Sequence, residues 1–516
     1  MSKYKILWVD DEIESLRPHI LFLEKKGYEV VPVHTGAEAI DAVQQDYFDA
    51  VFLDEQMPGL SGLETMEAIK QRQPELPIIM VTKSEEEGLM ENALGRQIAD
   101  YLIKPVNSSQ LLLSIKKALQ QDYLVTEQAR QRFLKAYPFL ARLINNAQEP
   151  DEWLKAYRDL CEWENQLKDI NDPGLHEVFD QLSEQANELF SNYVVRHYRS
   201  WIQQPETAPA LSHTLLERRF LPEFRSSDRP TLLLVIDNFR YDQWVAIRPL
   251  LEEWYSIKRE SLFYSILPTA TPYSRNAIFS GMLPSEIART YPGRWLYEQD
   301  SGLKNQHEEF FFRQFLLRHG LPGKFRFYRI TSPHYLHRIP VEPFHQRRLS
   351  VIVYNFIDFL SHARTEMRVM KELAPNEKAY CSLTRTWFEN SYLFEFLQRL
   401  AEEPYDVIIT TDHGTIEVRR PARIESDRDV THNLRYKAAR SFRYNPKEVL
   451  FIQDLESYGL PRKYLGERWI IAKNDHYFLF PTDPQHYTNL YGNTLQHGGI
   501  SLREMAIPYV HLVSRA

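Results

Sequence analysis

The amino-acid sequence predicts an α/β protein of three successive parts: a doubly wound parallel sheet, a helical bundle that acts as a linker, and a second, larger α/β domain. Three observations support this prediction. Short apolar runs alternate with helical patterns over residues 1–122, which is typical of a parallel sheet. Over residues 123–210, apolar residues recur only at the three- and four-residue spacing of helices. Apolar runs that end in acidic residues occur again over residues 211–516. A chain of 516 residues is long enough for several domains, each with its own hydrophobic core.

Composition and charge exclude several classes of protein. The chain is 43% hydrophobic and 26% charged, which is ordinary for a globular protein. Residues 1–120 contain 12 Lys and Arg against 20 Asp and Glu, so the net charge of −8 lies in this segment. The chain has no overall basic charge of the kind that favours binding to duplex DNA. Two distant cysteines, Cys161 and Cys381, exclude a disulfide framework.

The expected location is the cytoplasm. Acidic residues begin at Asp10, whereas a secretory signal has an uninterrupted apolar segment near its start. No stretch is long and apolar enough to cross a bilayer. We therefore expect no direct membrane insertion.

The first domain is predicted to place polar residues where its strands end. The predicted strands are Lys5–Val9, Glu29–His34, Ala50–Leu53, Ile78–Val81 and Asp100–Ile103. The polar residues that follow four of them are Asp10, Asp11, Asp54, Thr82 and Lys104. Ligands bind at the carboxyl ends of strands in such sheets, so these residues are the candidate site.

This constellation resembles the receiver domain of bacterial response regulators, a flavodoxin-like fold. The resemblance implies that Asp54 is phosphorylated and that Mg²⁺ binds Asp10, Asp11 and Asp54. Clustered carboxylates suit Mg²⁺, and Lys104 can neutralise charge on the phosphoryl group. Thr82 would hydrogen-bond the acyl phosphate, and Tyr101 matches the aromatic switch residue of the family. The alternative is a generic flavodoxin-like domain with solvated loop acids.

The linker is predicted to contain several helices. The patterns indicate Leu111–Tyr123, with a continuation through Glu127–Phe133, then Pro150–Lys168 and Leu175–Trp201, separated by a turn at 171–174. A helix-turn-helix reader of DNA is the alternative. No strongly basic recognition helix supports it.

The third domain contains residue types that can hold two metal ions. The candidates are Asp237, Thr271, Asp358, His362, Asp412, His413 and His497. Three carboxylates, three imidazoles and one hydroxyl can bind two ions and leave a nucleophile between them. Two-metal sites of this type cleave phosphate or sulfate esters.

In this order, the candidates resemble the alkaline phosphatase superfamily and most closely its PglZ family. The resemblance implies one zinc ion on Asp237, Thr271, Asp412 and His413, and a second on Asp358, His362 and His497. Thr271 would be the catalytic nucleophile and would open a helix that ends near Gly281. Asp358 and His362 would lie in a turn that leaves a strand. The alternatives are ordinary turns and surface pairs, or a decayed site that binds metal without turnover.

Two departures from the superfamily concern substrate choice. Alkaline phosphatases place an arginine directly after the nucleophile, whereas Pro272 follows Thr271 here. Nucleotide pyrophosphatases have asparagine three residues after it, where this chain has Ser274, with Asn276 nearby. The missing arginine favours diesters over monoesters, although Arg275 leaves the question open.

Basic and aromatic residues interleave in segments 419–423 and 435–444. Such a mixture can stack bases and pair phosphates of a single strand, and the alternative is a solvated insertion.

Taken together, the three parts resemble PorX-type response regulators. This resemblance implies control of type IX secretion, a histidine kinase partner of the PorY type and contact with an extracytoplasmic-function sigma factor. It also implies a phosphorylation-dependent homodimer through the face formed by 89–97, 100–103 and 111–120. The leading hypothesis is a zinc-dependent phosphodiesterase acting on nucleotides or oligonucleotides. The alternatives are a binding regulator that controls transcription through a sigma factor, and a phosphomonoesterase.

Overall fold

The structure is a computed structural model. It describes residues 4–82, 98–298, 300–331, 336, 339, 344, 346–427, 433–479, 488 and 490–516, without the side chains of 120–125, 356, 362, 366 and 368. Contacts divide the chain into two compact units, Met1–Arg132 and Phe133–Ala516. The second unit contains both the linker helices and the C-terminal domain. The domain boundaries after 122 and 210 stay predictions.

The first unit has a five-stranded parallel sheet in the order β2-β1-β3-β4-β5. Its strands are β1 (Lys5–Val9), β2 (Glu29–Val33), β3 (Ala50–Asp54), β4 (Ile78–Thr82) and β5 (Asp100–Ile103). Its helices include α1 (Arg17–Lys25), α2 (Gly36–Gln45) and α3 (Gly62–Arg72). This strand order is the flavodoxin-like one, so the predicted fold of this domain is confirmed.

Helix α4 (Ser108–Asn146) contains the predicted segment and its predicted continuation, and it extends beyond them to Asn146. The division between the two units falls within it. Pro138 lies inside the helix without ending it.

The linker helices α5 (Pro150–Leu167) and α6 (Pro173–Gln203) lie close to their predicted bounds. The predicted turn between them is also confirmed, because the Asp172 side chain accepts a hydrogen bond from the Leu175 backbone N–H at 3.0 Å and starts α6. Aromatic side chains join the two helices, as in the contact of Trp153 with Phe190 at 5.7 Å between ring centroids.

The C-terminal domain is built on a six-stranded sheet in the order β7-β20-β10-β6-β9-β8. Its strands are β6 (Thr231–Ile236), β7 (Tyr255–Tyr264), β8 (Arg326–Ile330), β9 (Leu349–Tyr354), β10 (Asp406–Thr410) and β20 (Ala506–Ser514). Strands β8, β9, β6 and β10 are parallel, so their carboxyl ends meet at one edge of the sheet. Every residue of β6, β9 and β10 is buried, as expected for strands covered on both faces.

Shorter elements surround this sheet. The helices are α7 (Leu221–Ser226), α8 (Tyr241–Glu252), α9 (Thr271–Ser280), α10 (Pro284–Thr290), α11 (Glu308–Arg318), α12 (Phe356–Glu366), α13 (Arg368–Leu373), α14 (Glu377–Glu389), α15 (Tyr392–Leu400) and α16 (Leu502–Met505). The remaining strands are β11 (Ile416–Val418), β12 (Arg420–Arg423), β13 (Glu425–Ser426), β14 (Tyr436–Ala439), β15 (Phe442–Arg443), β16 (Val449–Ile452), β17 (Arg468–Ala472), β18 (His476–Leu479) and β19 (Thr494–Gln496). They form small sheets of two or three strands outside the main one.

One prediction of local structure is wrong. Asp358 and His362 do not lie in a turn that leaves a strand, because both belong to helix α12, which begins two residues after β9. The spacing of four residues has a simple reason, since residues at i and i+4 share one face of a helix.

Among the helices of the described residues, none is long and apolar enough to cross a membrane.

A buried ion pair on β20 predicts a pH-dependent stability. His511 is 1% exposed and lies 3.2 Å from Glu223 and 3.3 Å from Asp406, measured from ring nitrogen to carboxylate oxygen. Burial lowers the pKa of His511, but the hydrogen bonds and charges of Asp406 and Glu223 outweigh it and raise the pKa above 6.5. The stabilisation is therefore complete below about pH 6.5 and is lost as pH rises through the folded-state pKa.

We expect His511→Gln to lower the free energy of unfolding by ~1–3 kcal/mol at pH 6 and by less at pH 9. Urea unfolding at the two pH values measures the difference. His34→Gln, at an exposed position, is the control and should change little at either pH. An equal loss for His511→Gln at both pH values would contradict the charged pair.

Candidate metal centres

The first candidate centre lies at the carboxyl edge of the N-terminal sheet. Asp10 follows β1, Asp54 ends β3 and Lys104 follows β5. The Lys104 ammonium lies 2.8 Å from Asp10 and 2.9 Å from Asp54. Carboxylate oxygens of Asp10, Asp11 and Asp54 all lie within 4.8 Å of one another. The structure therefore brings together three acids and one cation, as a site for a divalent ion and a phosphoryl group requires.

Burial gives Asp54 its electrostatic character. Asp54 is 2% exposed, and its Oδ1 atom has no hydrogen-bond partner among the described residues. Burial raises the pKa of Asp54, the hydrogen bond from Lys104 lowers it, and the charge of Asp10 raises it again, with a net rise. A divalent ion beside Asp54 would offset the same desolvation and fits this donor set.

The predicted switch residues lie beside this cluster. Thr82 ends β4 and is buried, and its backbone oxygen accepts a hydrogen bond from the Lys104 N–H at 2.6 Å. Tyr101 lies on the neighbouring strand β5 and is partly buried. Segment 89–97 of the predicted dimer face lies outside the described residues.

The second candidate centre lies at the carboxyl edge of the C-terminal sheet. Asp237 follows β6, and Asp412 and His413 follow β10. All three are buried, and each offers a ligand atom within 4.8 Å of the others. The Thr271 hydroxyl lies 3.3 Å from Asp237 Oδ1 and 3.0 Å from His413 Nε2. The predicted nucleophile is thus in contact with the predicted ligands.

Thr271 is the first residue of α9, and Pro272 occupies the first turn. Proline suits this position because the first turn has no partner for its N–H groups. The free N–H groups and the positive helix end favour an anion in front of Thr271.

The remaining predicted ligands adjoin this group. The His497 ring stacks on the His413 ring with centroids 4.3 Å apart. Asp358 Oδ1 accepts a hydrogen bond of 3.3 Å from the side chain of Asn238, the residue after Asp237. The side chain of His362 lies outside the described residues.

Arg275 forms ion pairs with two buried carboxylates. Its guanidinium is 1% exposed and lies 2.8 Å from Asp237 and 2.7 Å from Glu308. Glu308 in turn pairs with Arg329 at 2.9 Å. Sequence reasoning left the reach of Arg275 open and missed Glu308, because nothing in the sequence distinguishes Glu308 from its exposed neighbour Glu309.

The donor set of the second centre fits zinc. Burial raises the pKa of Asp237, the Arg275 charge lowers it, and the Asp412 charge raises it, with a net rise. Asp412 Oδ2 is buried without a hydrogen-bond partner among the described residues. A cation would satisfy this atom, and zinc accepts mixed carboxylate and imidazole ligands.

The segment 435–444 begins with buried residues, so its start is not a solvated insertion. Arg435 is fully buried and forms an ion pair of 2.6 Å with Glu504, so it cannot bind a nucleic acid phosphate. Tyr436 is also buried and stacks on Trp469 at 5.7 Å. Arg443, by contrast, is exposed, as are Arg419, Arg420 and Arg423 of the other segment.

Comparison with known proteins identifies three domains in one chain. The response regulator receiver domain matches residues 6–116, and the PorX response regulator linker domain matches 123–202. The BREX system PglZ alkaline phosphatase-like domain matches 215–512, which is more than half of the chain. The predicted order of receiver, PorX-type linker and PglZ domain is therefore confirmed.

Curated relatives match a smaller part. The chain is 36% identical over 129 residues to the transcriptional regulatory protein YkoG of Bacillus subtilis (strain 168), covering 25% of this chain and 56% of that protein. It is 32% identical over 147 residues to the transcriptional regulatory protein ZraR of Klebsiella oxytoca, covering 27% and 33%. A crystal structure of a response regulator receiver domain protein from Clostridium thermocellum is 29% identical, with a TM-score of 0.22, and covers 23% of this chain and 98% of that one. The chain thus spans about half or less of these two curated relatives.

The Arg435–Glu504 pair predicts a large loss of stability when one partner is removed. Glu504 also accepts the Gly499 N–H at 2.8 Å, next to the loop that carries His497. Arg435→Met leaves the buried Glu504 carboxylate without its cation, and we expect it to cost ~3–5 kcal/mol in chemical denaturation.

Arg443→Met is the matched control, because Arg443 pairs with Glu425 at the surface with 84% of its side chain exposed. We expect the control to cost ~1 kcal/mol or less. Adding Glu504→Gln to Arg435→Met should recover part of the loss, and a double variant no more stable than Arg435→Met would contradict this account.

Proposed function

Because the chain belongs to the family of BREX system PglZ alkaline phosphatase-like domains, with a receiver domain and a PorX-type linker before it, we propose that it is a response regulator with a zinc-dependent phosphodiesterase output. Phosphorylation on Asp54 would control hydrolysis of nucleotides or oligonucleotides by the C-terminal domain. One observation carries the proposal: Asp237 and His413 contact the hydroxyl of Thr271, and each has a ligand atom within 4.8 Å of Asp412.

The reaction proposed for this site transfers the phosphorus of a diester, with its second ester group still attached, to Thr271 and then to water. Asp237, Thr271, Asp412 and His413 would hold one zinc ion, and Asp358, His362 and His497 a second. When bound, the ions favour the ionised form of the Thr271 hydroxyl and neutralise charge on the phosphate. The Thr271 hydroxyl gives its proton to water and Oγ1 attacks phosphorus. The bond to the leaving ester oxygen breaks, and that oxygen takes up a proton from water. Water then hydrolyses the threonine phosphodiester, which releases a phosphomonoester and restores the hydroxyl.

Arg275 supports a preference for diesters. A monoester carries one more negative charge than a diester and needs a free cation to bind it. The Arg275 guanidinium is occupied by Asp237 and Glu308, and Pro272 stands in the position next to the nucleophile.

A receiver domain implies a sensor kinase that phosphorylates it. We propose a kinase of the PorY type, a phosphorylation-dependent homodimer, contact with an extracytoplasmic-function sigma factor and a role in type IX secretion. The transcriptional regulators named above favour an alternative output, control of transcription through a bound partner. They match only about a quarter of this chain.

Metal content is the first test. Inductively coupled plasma mass spectrometry of the purified protein should find close to two zinc ions per chain. His413→Ala should lower this content, because it removes a buried imidazole from the first ion. His176→Ala, in the linker, should leave it unchanged. Full zinc occupancy in His413→Ala would remove this residue from the ligand set.

Substrate preference is the second test. We expect a higher kcat/KM for bis-p-nitrophenyl phosphate than for p-nitrophenyl phosphate. Thr271→Val should lower the rate by ~10³-fold or more while the thermal midpoint stays close to that of the wild type. Thr386→Val, on the exposed side of α14, should keep the full rate.

Two results would change the proposal. A clear preference for the monoester would favour a phosphomonoesterase. A normal rate for Thr271→Val would mean that water attacks phosphorus directly.

A further inference from the structure

Asn238 has an unusual backbone conformation at the edge of the second centre. It directly follows Asp237, is fully buried and has a φ of 61°. Residues other than glycine rarely adopt this left-handed region, and asparagine tolerates it better than most. Such conformations persist where surrounding contacts fix them, and they cluster at functional sites.

The contacts of Asn238 reach both predicted zinc sites. Its backbone N–H donates to Asp412 Oδ1 at 3.4 Å, on the side of the first ion. Its side-chain amide donates to Asp358 Oδ1 at 3.3 Å, on the side of the second ion. The same amide donates to the hydroxyl of Ser361 at 3.0 Å, and that hydroxyl donates to the backbone oxygen of Asp358 at 2.8 Å. The two amide hydrogens are thus both used.

We propose that Asn238 is a positioning residue that sets the orientation of the Asp358 carboxylate relative to Asp412 and so couples the two zinc sites. The inference rests on the proposed two-zinc function. It extends that function by assigning the link between the sites to one residue that is not itself a ligand.

The physical reason is the partial exposure of Asp358. Asp358 lies on α12 and is partly exposed, whereas Asp237 and Asp412 are buried at strand ends. The hydrogen bond from the Asn238 amide to Oδ1 restricts the rotamers of this partly exposed carboxylate. Hydrogen bonds of this kind to metal-ligating groups typically change metal affinity by about 10–100-fold.

The left-handed backbone explains why the position suits asparagine. At this φ the chain turns directly after β6, so the N–H and the side chain of one residue reach acids that follow two different strands, β10 and β9. Glycine would keep the turn and the N–H but would lose the amide. This difference allows the side chain to be tested without disturbing the fold.

Asn238→Gly is therefore the test variant. Zinc affinities are measured by titration of metal-free protein against a chromophoric chelator. We expect the second site to lose about 10–100-fold in affinity while the first site keeps its wild-type value. Added zinc should restore diesterase activity to Asn238→Gly but not to Thr271→Val, because only the first has an intact nucleophile.

Asn493→Gly is the matched control. Asn493 also has a positive φ, 59°, and donates its backbone N–H to Val418, but it is exposed and outside the site. It reports the effect of relieving the same backbone strain. We expect both zinc affinities and the activity of this control to equal those of the wild type.

The outcomes separate the inference from the proposed function. Wild-type protein that binds no second zinc ion would overturn both. Wild-type protein with two ions and an Asn238→Gly variant with unchanged affinities would overturn the role of Asn238 alone. Equal weakening of both sites in Asn238→Gly would also overturn it, since the amide would then support the whole loop and not the orientation of Asp358.

Discussion

The C-terminal domain depends on how it neutralises two carboxylates buried side by side. Asp237 and Asp412 follow parallel strands that are adjacent in the sheet, so the fold forces their charges together. Burial and like charge both disfavour the ionised forms. Arg275 offsets part of this cost, and it in turn requires Glu308 and Arg329 around it. Three carboxylates against two guanidinium groups leave this cluster with a net negative charge, which favours a bound cation.

The receiver domain meets the same constraint with fewer groups. Asp10 follows β1 and Asp54 ends the adjacent parallel strand β3, and the Lys104 ammonium lies within 2.9 Å of both. In both sheets the acids occupy the edge where ligands of parallel sheets bind. The two centres differ in their ligand types. Among the described residues, only the second centre includes histidine side chains. That difference favours magnesium in the first and zinc in the second.

The strand-end residues could be predicted from the sequence because a buried strand followed by an acid is a local pattern. Asp54, Asp237 and Asp412 were found in this way. Buried partners from distant elements leave no such pattern. Arg435 and Arg443 lie in the same basic segment, yet one is buried against Glu504 and the other is exposed. Asn238 was missed for the same reason, since a φ of 61° cannot be read from one asparagine.

A partly buried charge network joins the linker helix α5 to the C-terminal domain. Arg503 pairs with Glu164 of α5 at 2.8 Å, with Asp242 at 2.9 Å and with Glu377 at 3.1 Å. Its backbone oxygen lies so close to Gly414 that a Cβ there would approach it to 2.0 Å.

Gly414 follows His413, so the residue that anchors α5 also bounds the loop of a predicted zinc ligand. A movement of α5 away from the sheet would leave Arg503 with two of its three carboxylates. The position of α5 therefore bears on the pairing of Arg503, the residue whose backbone bounds the Gly414 loop.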